Sequence, residues 1–377
     1  MNPEFESLEA LNQYLAQDKL DRTVALKGAA FQHLDLRNHT EALLTSSLYG
    51  SLFLDCQLSQ VARDHADGTG AIFFPAIPSM PFHPYRNRLY SPLELMEGFV
   101  HGSPTGFEHT TDHLIYQHYV AQGGTHSEDL CETIARSLHD HAMTDSLQEF
   151  LKGRTPVAIM GGHAMQRTDQ AYRDVAYMAM SLTEAGYLLV SGGGPGAMEA
   201  TNLGGWLAGR KLADLDGALE ILAAAPTYKE RQRWLESALM VRKRYPCAEE
   251  GYVSLGMPTW LYGHEPPNIF ATHIAKYFAN SIREEGLLSI ATGGIIFSPG
   301  SAGTIQEIFQ DATQNHYNTQ GIISPMIFFG EEYWMKNKPV YPLLHKLASG
   351  HAYGELLSIT DEPDEVIRSI VKNQPHL

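Results

Sequence analysis

Two glycine-rich loops contain the residues best suited to bind a ligand. The first loop runs Gly192-Gly-Gly-Pro-Gly-Ala-Met-Glu-Ala200, and the second runs Pro299-Gly-Ser-Ala-Gly-Thr-Ile-Gln-Glu307. Each loop follows an apolar run and precedes a helical pattern, so its N–H groups would lie at a helix N-terminus, where phosphates bind. One such turn is often only a tight turn. Two in one domain predict a nucleotide or sugar-phosphate site.

The elements around these loops must bring them to one place. Apolar runs at 155–160, 187–190, 294–297 and 323–329 are interspersed with helical patterns, the clearest at 170–185. Strand, glycine turn and helix in succession indicate parallel βαβ units, whose ligands bind at the carboxyl ends of the strands. We therefore predict an α/β fold, a Rossmann-like parallel sheet with helices on both faces, over residues 151–377.

Residues 1–150 have a different character and form a predicted N-terminal mixed α+β extension, with a regulatory or oligomerisation role. Leu8, Leu11 and Leu15 share one face of a predicted helix. Short strands are predicted within 31–36 and 48–54, a proline-rich loop over 74–84, and a helix over 126–151.

Composition narrows the class of protein. A chain of 377 residues suggests two units, and its net charge of -16 disfavours nucleic-acid binding. Cys56, Cys131 and Cys247 have no metal-type spacing and fit reduced thiols. The N-terminus lacks the pattern of a signal peptide, and no apolar run is long enough to span a membrane. We expect a cytoplasmic protein with no membrane or nucleic-acid partner.

One histidine pattern could suggest a metal site. His109 and His113 are spaced i,i+4, and His118 follows. With 18 histidines in the chain such spacings arise by chance, and no glutamate or cysteine completes a ligand set. We expect neither a metal nor a cofactor.

The two glycine loops resemble the paired motifs of the LOG (Lonely Guy) family, often mislabelled "lysine decarboxylase". Further segments resemble the bacterial pyrimidine/purine nucleotide 5'-monophosphate nucleosidases: Gly161-Gly-His-Ala-Met165, Glu265-Pro-Pro-Asn268, and the stretch from Arg283 to Ala291 followed by Gly294-Ile-Ile-Phe297. The resemblance covers about residues 152–345. It implies a Rossmann-like homo-oligomer, dimeric or higher, that hydrolyses the N-glycosidic bond of nucleoside 5'-monophosphates to free base and ribose 5-phosphate.

The resemblance also implies roles for individual residues. Its catalytic pair falls on Arg283 and Glu307. The predicted phosphate- and nucleotide-binding residues are Gly193, Gly194, Gly196, Met198, Glu199, Gly300, Ser301, Gly303 and Thr304. The predicted pocket rim consists of Gly162, His163 and Asn268.

Two positions depart from the family pattern. Ser301 stands where the family has a glycine, and its N–H can still bind phosphate if its φ is negative. Glu284 follows Arg283 where the plant-type enzymes have a lysine, which makes the pocket less basic.

Structural roles remain open for the predicted catalytic residues. Arg283 could be a surface cation paired with Glu284 or Glu285, and Glu307 could merely complement the helix dipole. Met198 could be a core residue.

Two other functions remain open. The same pocket could serve a non-catalytic nucleotide or cofactor-binding sensor or carrier. Gly192-x-Gly194-x-x-Ala197, with Asp214 and Asp216 about 20 residues on, also fits the fingerprint of a NAD-dependent oxidoreductase. That interpretation leaves the second glycine loop without a purpose.

Overall fold

The computed structural model describes residues 3–17, 20–74, 76–77, 80–249 and 251–373. The chain divides into two compact units, one of Met1–Arg88 with Asp129–Asp145 and one of Leu89–Glu128 with Ser146–Leu377. Residues 89–128 therefore belong with the C-terminal part of the chain, whereas the sequence-based division lies at 150. A buried ion pair accounts for part of this association: the ammonium of Lys276 lies 2.5 Å from the Asp112 carboxylate.

The N-terminal unit is built on a four-stranded parallel sheet. Its strands are β1 (Glu4–Phe5), β2 (Ala30–Gln32), β3 (Leu52–Leu54) and β4 (Ile72–Phe74), in that spatial order. Helices α1 (Leu8–Leu15), α2 (Thr40–Thr45) and α3 (Gln60–Thr69) connect them. The middle residues of β2, β3 and β4 are all phenylalanines on one face, and Phe31 stacks on Phe53 with ring centroids 4.7 Å apart.

The predictions for this unit are confirmed in part. The first helix lies where it was predicted, and the two strands are shorter than the runs that indicated them. Part of the proline-rich passage lies outside the described residues.

The second unit contains a seven-stranded parallel sheet in the order β11-β10-β9-β5-β6-β7-β8. Its strands are β5 (Pro156–Met160), β6 (Leu188–Ser191), β7 (Ser254–Gly256), β8 (His273–Ile274), β9 (Ile295–Phe297), β10 (Met326–Phe329) and β11 (Leu357–Thr360). Every residue of β5, β6 and β10 is buried, as expected for a parallel sheet covered on both faces. The Rossmann-like α/β prediction is confirmed.

Helices α4 (Pro92–Leu95) and α5 (Thr111–Ala121) precede the first strand of this sheet, and the other helices that belong wholly to the unit lie after β5 in the chain. These later helices are α7 (Gln170–Glu184), α8 (Ala197–Leu207), α9 (Leu212–Leu222), α10 (Arg231–Arg244), α11 (Asn280–Ser289), α12 (Ala302–Tyr317), α13 (Val340–Ala348) and α14 (Pro363–Lys372). Helix α6 (Leu130–Leu151) contributes residues to both units. Among the described residues no helix combines the length and apolar character that a membrane span requires.

Candidate functional site

Loops from three neighbouring strands meet at the carboxyl edge of the large sheet. Strand β5 lies between β9 and β6, and the chain order reverses between β5 and β9, so this is the topological switch point where α/β sheets bind ligands. The Gly162 N–H donates to the Pro299 carbonyl at 3.0 Å, and the Ala197 N–H donates to the Gly162 carbonyl at 3.2 Å. Gly162 thus joins both glycine loops.

The first glycine loop has a backbone that glycine alone accommodates easily. Gly193 has φ +74° and Gly196 has φ +69°, both in the left-handed region. A Cβ at Gly196 would lie 2.7 Å from the His163 carbonyl oxygen and closer still to that of Gly162. The glycines therefore permit contact between loops as well as the turn itself.

Asn268 holds the first glycine loop in place through hydrogen bonds to its backbone. The side chain is fully buried, and its amide donates to the Gly194 carbonyl at 3.2 Å while its backbone N–H donates to the Gly193 carbonyl at 2.9 Å. Its amide oxygen accepts the N–H groups of Phe270 and Ala271, both at 3.2 Å. The prediction that placed Asn268 at the pocket rim is corrected, because every polar atom of its side chain is used in holding backbone.

The second loop leads directly into helix α12. Ser301 is the N-cap residue with φ -113°, a conformation open to any residue, so replacing the family's glycine by serine does not strain the loop. Its side chain forms no capping hydrogen bond, and Ser301 and Gly303 are exposed. Thr304 is buried against Gly300. The exposed N-terminus of a 16-residue helix is a favourable place for an anion.

Lys338 adds a positive charge beside this helix terminus. Its ammonium donates to the Gly300 carbonyl at 3.1 Å and lies 3.3 Å from the Ser301 hydroxyl. The Tyr333 hydroxyl donates to the same carbonyl. Sequence reasoning missed both residues. The available signal was their position after β10, because the strand beside β9 must place its following loop next to the second glycine loop.

Arg283 lies on α11 and is almost fully buried, at 9% exposure. Its Nε donates to the Met257 carbonyl at 2.6 Å, and its Nη2 lies 3.5 Å from the Gly192 carbonyl. Within the described part of the chain, no carboxylate forms an ion pair with it. The interpretation of Arg283 as a surface cation paired with Glu284 or Glu285 is therefore wrong.

Glu307 and Arg283 interact electrostatically without forming an ion pair. The Glu307 side chain is half-buried on α12. Burial raises its pKa to about 7, the Arg283 charge opposes this rise and the Glu284 charge adds to it. A carboxyl with such a pKa can give or take a proton near neutral pH.

Glu199 is a structural residue of the cavity wall. It is fully buried, and Arg167 donates to both of its carboxylate oxygens, from Nε at 2.9 Å and from Nη2 at 2.5 Å. The Tyr172 hydroxyl donates a third hydrogen bond at 2.9 Å. The predicted nucleotide contact is corrected, because these partners already occupy the carboxylate.

Two neighbouring cavities adjoin the first loop. The smaller, of about 60 Å³, is lined by residues including Arg283, Met198, Gly194 and Glu265. The larger, of about 360 Å³, is lined by His163, Ala164, Met165, Gln166, Arg167, Pro195, Gly196, Glu199, Pro226, Thr227, Tyr228, Lys229 and Trp234. His163 in the wall of the larger cavity contacts Glu265 in the wall of the smaller one, with His163 Nδ1 and Glu265 Oε1 3.1 Å apart. Met198 thus lines the smaller cavity, and His163, whose side chain is 54% exposed, lies at the wall of the larger one.

The segment between α8 and β7 contributes to the larger cavity. Tyr228 and Lys229 precede α10, and Trp234 on α10 is buried with the Arg167 guanidinium 4.6 Å from its ring centroid. This segment therefore forms part of the wall of the larger cavity.

The interpretation as a NAD-dependent oxidoreductase requires an acidic residue that binds the cofactor ribose, and neither candidate lies where that residue is needed. Asp214 and Asp216 lie on α9, and Asp216 is paired with Arg173 at 2.9 Å. Neither follows a strand, as binding of a cofactor ribose in this fold requires.

Comparison with known proteins gives similarity of structure only. No family model matches the chain, and no curated protein matches it in sequence. A molybdenum cofactor binding protein from the phototrophic bacterium Rippkaea orientalis is similar, with 13% identity, a TM-score of 0.35, and coverage of 58% of this chain and 98% of that one. The molybdenum cofactor carrier protein of Chlamydomonas reinhardtii has 11% identity and a TM-score of 0.36, with 58% and 97% covered. Membership of the LOG family stays a prediction from the motifs.

Proposed function

We propose that this protein binds a nucleoside 5'-monophosphate at the switch point of its large sheet and hydrolyses the N-glycosidic bond. The observation that carries the proposal is the electrostatic interaction of Glu307 with Arg283. A half-buried carboxyl whose pKa is raised to about 7 lies within the electrostatic reach of a buried guanidinium, beside two glycine loops.

The phosphate would bind at the N-terminus of α12. The exposed backbone around Ser301 and Gly303 offers N–H groups, and Lys338 supplies a positive charge beside Ser301. Glu307 lies five positions after Ala302, the first residue of α12, which corresponds to an axial rise of about 7–8 Å along the helix. That separation leaves room for a ribose between the phosphate and the carboxyl.

The ribose would react as its bond to the base breaks. The bonding electrons leave with the base, which takes up a proton from the solvent, and the ribose acquires oxocarbenium character. A water molecule adds to the anomeric carbon and gives its proton to the Glu307 carboxylate, which then releases that proton to the solvent. The cavity of about 360 Å³ has the volume of a small-molecule pocket and would hold the base near Tyr228.

The second candidate is non-catalytic binding of a nucleotide or phosphorylated cofactor in the same pocket. The observation that favours it is the engagement of Arg283 with two backbone carbonyls, which gives this residue a structural role in holding the first glycine loop. The two similar structures are themselves described as cofactor binding or carrier proteins.

Chromatographic detection of free base separates the candidates. The purified protein is incubated in turn with AMP, GMP, CMP, UMP and IMP, alongside Glu307→Gln and the control Glu332→Gln, which changes an exposed glutamate. Base release by the wild type and the control, but not by Glu307→Gln, supports the glycosidase. Binding of a nucleotide by calorimetry without base release supports the second candidate. Absence of both binding and release contradicts both candidates.

A further inference from the structure

Three side chains that could bind a metal converge in the N-terminal unit, far along the chain from the glycine loops. One ring nitrogen from each of His33 and His83 and a carboxylate oxygen of Asp55 all lie within 4.8 Å of one another. His33 Nδ1 and Asp55 Oδ2 are 2.9 Å apart. The two imidazole rings are nearly perpendicular, with centroids 4.7 Å apart.

The small sheet explains why His33 and Asp55 are neighbours. β2 and β3 are adjacent and parallel, with Gln32 paired to Leu54, and His33 and Asp55 are the first residues after these strands. Both depart from the strand with the same left-handed turn, at φ +52° and φ +49°. Residues other than glycine seldom adopt this conformation. The matched turns keep the two side chains at the same edge of the sheet.

His83 approaches this edge from a different segment. Its Nδ1 is buried and has no hydrogen-bond partner in the part of the chain that the structure describes. A buried polar atom without a partner is destabilising, and a bound metal ion would supply the missing interaction.

We propose that His33, Asp55 and His83 form a binding site for a divalent transition-metal ion, and that Zn²⁺ suits this set of two nitrogens and one oxygen. Zinc bonds of about 2.0–2.2 Å place ligand atoms roughly 3–3.5 Å apart, so the cluster has to contract slightly on binding. The His33 side chain is 61% exposed and free to adjust. Three protein ligands leave a coordination position for water or an external ligand.

The proposed site differs from the sequence-based expectation of no metal. That expectation was drawn from His109, His113 and His118, which are close in sequence, and among the described residues they belong to no cluster of three ligands. The members of the new cluster are separated by 22 and 28 positions along the chain, and only the pairing of β2 with β3 and the approach of His83 bring them together.

Metal titration of the full chain tests the proposal. The protein is stripped with EDTA and titrated with Zn²⁺ by calorimetry and with Co²⁺ by visible absorption, which reports the ligand field directly. The variants are His33→Ala and Asp55→Asn, with His141→Ala and Asp35→Asn as exposed controls from the same unit. Circular dichroism verifies that each variant is folded.

We expect the wild type and both control variants to bind one Zn²⁺ ion tightly that neither cluster variant binds tightly. Loss of an outer-shell partner alone weakens metal binding by about 10–100-fold, so removal of a ligand should weaken it at least about 100-fold. The Co²⁺ absorption bands should disappear in the same two variants. Equal stoichiometry and affinity in the wild type and all four variants, or no binding to the wild type, would overturn the proposal.

Discussion

The ammonium of Lys338 donates a hydrogen bond to the carbonyl of Gly300 at 3.1 Å, although 38 positions separate the two residues. This contact places a cation at the entrance to α12, where the proposed phosphate would bind. A positive charge there adds to the field of the helix N-terminus.

Lys338→Met should therefore weaken the binding of AMP by roughly tenfold or more, since a hydrogen bond to a charged group contributes about 1.5–3 kcal/mol. Adenosine, which has no phosphate, should bind the variant and the wild type equally. Calorimetry with both ligands measures the difference, and Lys336→Met, which alters an exposed lysine two residues away, is the matched control. Equal loss for AMP and adenosine would argue against a phosphate contact.

The raised pKa of Glu307 predicts how activity depends on pH. If the carboxylate accepts the proton of water, base release should fall about tenfold per pH unit below pH 7 and level off above it. Glu284→Gln removes a negative charge that raises this pKa, so the profile should move to lower pH. The rate of base release from pH 5 to 9 measures both effects. An unshifted profile in Glu284→Gln would assign the titration to another group.

The Arg167–Glu199 pair should be important for stability. Arg167→Met leaves the buried Glu199 carboxylate without its cation and should lower the free energy of unfolding by about 3–5 kcal/mol. Arg173→Met breaks the more exposed pair with Asp216 and should cost at most about 1 kcal/mol. Urea denaturation compares the two variants. Similar losses in both would contradict the structural role of Glu199.

The buried carboxyl of Asp311 leads to a second pH prediction, which concerns the free energy of unfolding and is independent of Glu307. Burial raises its pKa to about 8, and its Oδ2 has no hydrogen-bond partner among the described residues. Because the folded state binds this proton more tightly than the unfolded state, the contribution of Asp311 to stability falls as pH rises from about 4 to 8.

Asp311→Asn should therefore raise the free energy of unfolding at pH 8, by about 1–3 kcal/mol, and change it little at pH 4. Urea denaturation at the two pH values measures this difference. Asp364→Asn, on another helix at a less buried position, serves as the control. A variant that is equally destabilised at both pH values would contradict the assignment.

The sequence alone determined the features that depend on neighbouring residues. Apolar runs bounded by glycine located β5, β6, β9 and β10, and the glycine loops marked the edge of the sheet where ligands would bind. Strands β7 and β8, of three and two residues, were not predicted because so short a run has no periodicity.

Only the tertiary structure decided which side chains face one another. The order of the strands placed Lys338 beside Gly300 and buried Arg283 against Gly192, and the pairing of β2 with β3 brought His33 to Asp55. Burial also gave the two motif glutamates different surroundings. Glu199 is paired with Arg167, whereas Glu307 has a raised pKa and forms no ion pair with any described residue. These outcomes depend on contacts between individual side chains distant in the chain, which spacing along one sequence does not specify.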